Sequence, residues 1–314
     1  MPKKLISIIT PVFNEEENVT KCCDEVRRIF DGLADRYDFE HIIADNCSDD
    51  GTLTLLRQIA SKDKRVKIIV NSRNFGAEKS GFNALRDASG DAFIGLPCDL
   101  QEPPTMIPAF IAKWEEGFEV VYGIYENKSD GWVTKQLRRF YYYWLNKLSE
   151  EPLPQNNSGF GLYDRKVLNE ILKVDDHSPY VRGIIACVGF RKTEVAYERV
   201  GRQRGESKHG WGFLVQFGLN ALISYSLVPL RVATYMGILL SGLSVLMAFA
   251  YALIKIFNWG FQAPGATTVV VIVLFFSGVQ LFFLGMLGEY IGAIHAQVRR
   301  KPFVVVREKI NFDE

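Results

Sequence analysis

Cysteine and histidine are scarce in this chain, with five and four residues respectively among 314. Cys22, Cys23, Cys47, Cys98 and Cys187 show neither C-x-x-C spacing nor a disulfide framework, so the plain reading is buried thiols in a reducing cytosol. His41, His177, His209 and His295 are scattered and lack metal-ligand spacing, which excludes a histidine-built metal centre. Net charge is only +1, so no overall charge excess marks a partner, and no nucleic-acid partner is expected. Internal repeats and low-complexity segments are absent, which excludes repeat architectures and long linkers.

Charge is missing altogether from two long stretches. Val232 to Ile254 is uncharged and apolar, and Phe257 to Gly288 contains a second such run. Each exceeds the roughly 20 apolar residues a helix needs to cross a hydrocarbon core of about 30 Å. Arg199, Arg202, Arg204, Lys208 and Arg231 precede the first run, and Arg299, Arg300 and Lys301 follow the second. The segment Asn258 to Ala266 between the runs has no Lys or Arg. By the positive-inside rule, both termini and the large polar domain face the cytosol, with a short hairpin loop outside. The expected address is a bacterial cytoplasmic (inner) membrane, crossed twice. The N-terminal Met1 to Thr10 has a basic start and an apolar run too short for a span, and it reads as a first buried strand rather than a signal peptide.

Before the first run, short β-branched stretches alternate with helical patterns. Strands are expected at Leu5–Val12, Glu40–Ala44, Val66–Val70, Ala92–Leu96 and Val120–Gly123, and helices at 16–31, 51–62, 76–88 and 105–117. This order implies an α/β fold with a mostly parallel sheet, whose ligands sit at the carboxyl ends of the strands. A basic, aromatic helix is expected at Trp132–Leu148 and a glycine-rich strand at Ser158–Tyr163. From Trp211 to Ser226, apolar residues recur at helical spacing beside basic ones, as in a helix lying on a membrane surface or in an ordinary core-facing helix. The expected divisions are a domain over 1–208, an interfacial helix over 209–228, a two-helix hairpin over 229–298 and a cytosolic tail over 299–314. Phe303 to Arg307 reads as a strand that could pair subunits.

Polar residues cluster where the strands end. Thr10-Pro11-Val12-Phe13-Asn14-Glu15-Glu16-Glu17-Asn18 follows the first strand, either as a nucleotide dock or as an acidic first helical turn. Asp45 to Thr52 follows the second, and there a carboxylate can accept the imide N–H of uracil, although such loops are also ordinary turns. After the fourth strand, Asp99 and Gln101 in Pro97-Cys98-Asp99-Leu100-Gln101-Glu102-Pro103-Pro104 place two oxygen donors where they can share a hard cation with phosphate oxygens and water. An acidic loop capping the next helix is the alternative.

Together these residues resemble the family 2 glycosyltransferases of GT-A fold, and within them the polyprenyl-phosphate (bactoprenol or dolichol phosphate) glycosyltransferases. The resemblance runs over nearly the whole chain. It rests on Pro11, Phe13 and Asn14 to Asn18, on Asp45 to Thr52, on Arg73-Asn74-Phe75-Gly76, and on Asp99-Leu100-Gln101-x-Pro-Pro. It continues through Gly159-Phe160-Gly161-Leu162-Tyr163-Asp164-Arg165 and Arg199-x-x-Arg202-x-x-Gly205-x-Ser207-Lys208.

The resemblance implies a membrane-anchored inverting hexosyltransferase that moves a sugar, expected to be glucose, from UDP to undecaprenyl or another polyprenyl phosphate. Pro11, Phe13, Asn14, Glu15, Asp45, Asn74, Gly76, Lys79, Asp99 and Gln101 are the expected contacts for the nucleotide sugar. Asp99 and Gln101 are the expected ligands of Mg2+ or Mn2+. Arg199, Arg202, Arg204, Ser207 and Lys208 are the expected contacts for the acceptor phosphate, with Asp99, Arg202 and Lys208 as the catalytic set. The basic residues also satisfy a simpler account, positive-inside topology and attraction to anionic lipids. A homo-oligomer, a tetramer by resemblance, is implied as well.

Two departures from the family pattern stand out. Pro97 occupies the first Asp position of the metal loop, and Asn156, Asn157, Ser158 and Gly159 stand where many relatives carry an Asp proposed as a base. A phosphate monoester with a second pKa near 6 is largely ionised at pH 7 and needs alignment and charge compensation more than a base. Transfer to another lipid or a glycan, and a catalytically silent membrane scaffold, are the alternative readings.

Overall fold

The computed structural model describes residues 3–126, 136, 156–174, 176, 179–199, 228–257, 266–299 and 302–312. The helix expected at Trp132–Leu148 (Gln136 apart), the stretch Trp211–Ser226, and Arg202, Arg204, Ser207 and Lys208 lie outside the described residues. The chain divides into two compact units, one holding the sheet together with the C-terminal residues and the other holding the two long helices.

The first unit is built as its sequence pattern requires. Strand β1 (Lys4–Val12) is apolar on both faces, as a central strand covered by helices on both sides must be. It pairs in parallel with β2 (Tyr37–Asp45) and with β4 (Ala92–Gly95), and β2 pairs in parallel with β3 (Val66–Asn71). Between them, α1 (Val19–Asp31) buries Val19, Cys22, Cys23, Val26 and Phe30 at helical spacing. Helices α2 (Thr52–Lys62) and α3 (Ala77–Leu85) complete the crossovers. Past a single 3-10 turn at Pro104–Met106, α4 (Ile107–Glu115) leads to β5 (Val120–Glu126). There follow β6 (Asn157–Asp164), α5 (Arg165–Ile171), α6 (Val181–Cys187) and β7 (Lys192–Glu198).

The strand order is β7-β5-β6-β4-β1-β2-β3-β8, with β8 (Val306–Ile310) at one edge. Strand β6 runs antiparallel to both β4 and β5, and β7 runs parallel to β5. By this arithmetic β7 ends at the same sheet edge as β1 to β4. That edge is where ligands of such sheets bind.

Two buried polar clusters inside the sheet pair their groups. Ser7 Oγ donates to Glu40 Oε1 at 2.6 Å, and Lys67 Nζ donates to Glu40 Oε2 at 2.7 Å. His41 Nε2 lies 2.9 Å from Thr10 Oγ1, and burial pushes its pKa down to about 3, so this imidazole is a neutral core group. Three of the thiols, Cys22, Cys23 and Cys98, are buried as expected, whereas Cys47 is half-buried and Cys187 is exposed.

The C-terminal strand β8 adds antiparallel to β3 of its own chain, with Val70 opposite Glu308, and forms one edge of the sheet. It is held from both faces by Arg57 with Glu308 and by Lys309 with Asp87, whose separation is 2.7 Å. Asn311 then donates to the carbonyls of Ala60 and Val66, each at 2.8 Å. A single chain reached the edge of its own sheet, which leaves no free β3 edge to recruit a copy.

The second unit contains α7 (Val228–Phe257, 30 residues) and α8 (Ala266–Val298, 33 residues). Both are long and apolar enough to cross a membrane. Among the described residues, every exposed large apolar side chain except Val305 lies on these two helices. A surface of that kind is strongly unfavourable in water and ordinary in lipid.

Candidate active site

Three loops at the carboxyl edge carry the same backbone signature. Asn14 (φ 55°) follows β1, Cys47 (φ 65°) follows β2 and Leu100 (φ 55°) follows β4, all non-glycine residues in the left-handed region. Each such residue costs on the order of 1 kcal/mol or more and persists only where its surroundings enforce it, most often at functional sites. Leu100 separates Asp99 from Gln101, so the strained turn is the one that sets these two donors side by side.

The first two loops lock together. The Asn14 N–H donates to Ser48 Oγ at 3.0 Å, while Asn14 Oδ1 accepts from the Asp49 N–H at 3.0 Å. The Glu15 N–H donates to Thr52 Oγ1 at 2.9 Å, and Glu16 Oε2 accepts from the Gly51 N–H at 2.7 Å. Asn14 therefore braces the loops through both backbone and side chain. Asp45, at the end of β2, is wholly buried and accepts from the Ser48 N–H at 3.3 Å. Burial raises its pKa, with the Ser48 hydrogen bonds opposing.

The turn into α3 is also fixed by side chains. Asn46 Oδ1 accepts from Asn71 Nδ2 and from the Phe75 N–H, both at 3.1 Å. Asn74 Oδ1 accepts from the Gly76 N–H at 2.8 Å. Gly76 has φ +88° with open space around it, so backbone conformation and not crowding requires glycine there. Lys79, one turn into α3, has its pKa lowered by burial and then by Arg73. A cation held near a second cation is poised to welcome an anion.

A cleft of about 370 Å³ opens beside this edge. Of the residues expected to contact the nucleotide sugar, Pro11, Glu15 and Asp99 line it, together with Glu78, Ser158, Gly159 and Arg182. Phe13, Asn14, Asp45, Asn74, Gly76, Lys79 and Gln101 do not line it, and they sit instead on the neighbouring loops and on α3. The Gln101 N–H donates to Asp99 Oδ1 at 3.3 Å, closing the turn of the expected metal loop. Pro97 lies on the cleft wall and offers no donor. Among the described residues no group of three or more His, Cys, Asp and Glu side chains could hold a metal by itself. A carboxylate and an amide on one turn fit a hard cation that takes its remaining oxygens from phosphate and water.

Three groups escaped the sequence reading. Arg182 Nη1 donates to the Asn157 carbonyl at 3.0 Å, and its Nη2 lies 3.6 Å from Glu78 Oε1, across the cleft. Glu102 is wholly buried and pairs with Arg199 at 3.2 Å. Nothing local in Tyr180-Val181-Arg182-Gly183 signals a site, and only the return of α6 over β6 brings it there. Asn157, one of the stretch Asn156 to Gly159, accepts at Oδ1 from the Gly159 N–H at 2.8 Å, and a neutral amide is no general base.

Residues 7–172 match glycosyl transferase family 2, and residues 228–294 match the GtrB C-terminal hairpin. The SfII prophage-derived bactoprenol glucosyl transferase of Shigella flexneri is 34% identical over 305 residues, 96% of this chain and 97% of that protein. An uncharacterized glycosyltransferase of Synechocystis is 33% identical over 304 residues, 96% of this chain and 95% of its own. Among solved structures, the glucosyl-3-phosphoglycerate synthase of Mycobacterium tuberculosis in complex with phosphoglyceric acid aligns over 70% of this chain and 79% of that one, with 22% identity and a TM-score of 0.48.

Proposed function

Because the chain belongs to glycosyl transferase family 2 and is a glycosyltransferase, we propose that it transfers glucose from UDP-glucose to a polyprenyl phosphate at the cytosolic face of a membrane. The observation that carries this reading is the near-full-length likeness to bactoprenol glucosyl transferases, hairpin included, around a cleft that holds Asp99.

In this reading the uridine lies against Asp45 and the loops braced by Asn14, and the diphosphate lies beside Asp99, Gln101 and Lys79. Asp99 and Gln101 would hold the Mg2+ or Mn2+. The bound cation would supply charge neutralisation for the departing diphosphate. The sugar occupies the cleft between Pro11, Gly159 and Arg182. An ionised oxygen of the lipid phosphate attacks the anomeric carbon from the face opposite UDP. As that C–O bond forms, the bond to the UDP oxygen breaks, giving a β-linked polyprenyl monophosphosugar and UDP. No proton must leave the nucleophile, which makes the absence of an Asp near Asn157 intelligible.

Arg202, Arg204, Ser207 and Lys208 are the groups assigned to the acceptor phosphate, where fixed positive charge compensates the approach of two anions. Topology supports their placement. With β8 in the same sheet as β7, any membrane crossings between them are even in number, and α7 and α8 are two helices long and apolar enough to make them.

The test is Asp99→Ala in membranes supplied with labelled UDP-glucose and polyprenyl phosphate. Transfer to lipid is expected to fall by about 100-fold or more, the range typical for removing a group that acts on the transition state. Undiminished transfer would overturn the assignment.

A further inference from the structure

Arg182 and Glu78 meet across the cleft from two separate helices, Arg182 in the first turn of α6 and Glu78 in the first turn of α3. The guanidinium is fixed at one end. Its Nη1 donates to the Asn157 carbonyl at 3.0 Å, it lies over the Tyr180 ring 4.9 Å from the centroid, and its stem runs past the backbone of Gly159. Its Nη2 lies 3.6 Å from Glu78 Oε1, within ion-pair range but beyond a good hydrogen bond. A hydroxyl both accepts and donates, so one hydroxyl set against this pair accepts from Nη2 and donates to Oε1.

The charge balance here favours a neutral ligand over an anion. Arg182 is the only Lys or Arg among the described residues lining the cleft, and the Glu78 carboxylate stands against it, offsetting its charge and repelling a phosphate. Neighbouring polar groups of the lining have partners of their own. Glu15 Oε2 accepts from Asn18 Nδ2 at 2.8 Å, Ser158 Oγ lies 3.2 Å from the Tyr197 hydroxyl, and the Tyr163 hydroxyl donates to the Gly159 carbonyl at 3.4 Å. Phe82, Leu85, Phe93 and Ile185 add apolar wall. Apolar surface with a few oriented polar groups suits a hexose, whose C–H faces are apolar and whose hydroxyls project from the rim.

We propose that Glu78 and Arg182 form the sugar-reading element of the cleft: together they take one hydroxyl of the hexose, and the enzyme selects its donor by that hydroxyl. The inference rests on the reading of the cleft as the sugar site.

Full-length protein in detergent, supplied with polyprenyl phosphate, UDP-glucose and a set of monodeoxy analogues each lacking a different sugar hydroxyl, tests it. In the wild type one analogue is expected to lower kcat/KM about 30-fold, the scale of a lost hydrogen bond to a charged group. Arg182→Met should lower kcat/KM for UDP-glucose by about 30-fold as well, and that same analogue should then lose no more than about threefold further, as a shared interaction requires. Glu78→Ala, at an exposed position, should show the same non-additivity, so the comparison survives if Arg182→Met does not fold. Affinity for UDP alone, by calorimetry, should stay within about twofold in both variants. UDP binding weakened as much as UDP-glucose binding would make Arg182 a diphosphate contact and overturn the proposal. A wild type indifferent to every deoxy analogue, or variants that slow all donors by one common factor, would overturn it too. A wild-type protein that transfers no sugar to lipid phosphate would refute the functional reading. The calorimetric affinities of UDP-glucose and its analogues, expected to show the same coupling, would then still decide whether the pair reads the sugar.

Discussion

At the scale of single residues, the site keeps acidic groups where burial opposes their charge. Asp45 is one case, since its folded-state pKa is raised by burial. A carboxyl with a raised folded pKa contributes most to stability below its unfolded pKa of about 3.9, and that contribution is lost as pH rises through the folded value. At neutral pH the ionised group therefore strains the empty fold, yet the ionised form is the stronger acceptor for the single imide N–H of uracil. Asp45→Asn is expected to raise the thermal midpoint of the empty protein at pH 7 by about 2 °C or more while weakening UDP binding about tenfold. In the wild type, UDP affinity should begin to fall on acidification at a pH above the ordinary aspartate range, and Asp45→Asn should flatten that limb. Calorimetric titration with UDP at a series of pH values measures both effects.

Residues of this kind were legible in the sequence when a strand end and a polar cluster coincided. Asp45 at the end of β2, and Asp99 and Gln101 on the loop after β4, are of this sort. Arg182, Glu78 and Glu102 were not legible as a site, since each takes its meaning from a partner on another element: Asn157 and Glu78 for Arg182, and Arg199 for Glu102. Pairings across the fold leave no periodic trace. Asn14 shows the converse, a motif residue whose visible bonds brace a loop.

At the scale of elements, period and propensity located β1 to β5 and α1 to α4 to within a few residues. The pairing of the last strand with β3 was not read from the sequence. Its β-branched run was plain, but which edge it joins depends on a return after two long helices, and no local pattern encodes that. The structure makes β8 part of the sheet domain. The Ser72 N–H, next to the Arg73-Asn74-Phe75-Gly76 turn, donates to the Val305 carbonyl at 2.9 Å, and Phe303 stacks edge-on to Phe82 of α3 at 5.6 Å. Ending the chain after residue 301 should therefore uncover the β3 edge and loosen the α3 turn. The expected result is a thermal midpoint lower by about 5 °C or more and measurably weaker UDP binding. Differential scanning fluorimetry with and without UDP checks both, and a truncated chain as stable and as nucleotide-competent as the full one would show that β8 is an ornament.

At the scale of the whole molecule, a sheet domain of the glycosyl transferase family 2 is linked to helices whose exposed surface suits lipid. This organisation was the most legible feature of all, because composition alone distinguishes a lipid-facing helix from a sheet strand. The even number of crossings implied by β8 predicts that the N-terminus and the C-terminal tail share a side. Cysteine-accessibility labelling at Lys3 and Lys309, both on the sheet domain, should mark both sites from the cytosolic side of sealed vesicles, and a site reached only from the opposite side would contradict the topology.

The most direct measurement of the central claim is the identity of the lipid product. Purified full-length protein given UDP-glucose, a divalent cation and polyprenyl phosphate should release UDP in step with a new lipid. Mass spectrometry should show one hexose on a single phosphate, and NMR should show the β anomer. Glucose found on a hydroxyl-bearing acceptor, an α-linked product, or UDP release with no sugar on the phosphate lipid would contradict the account.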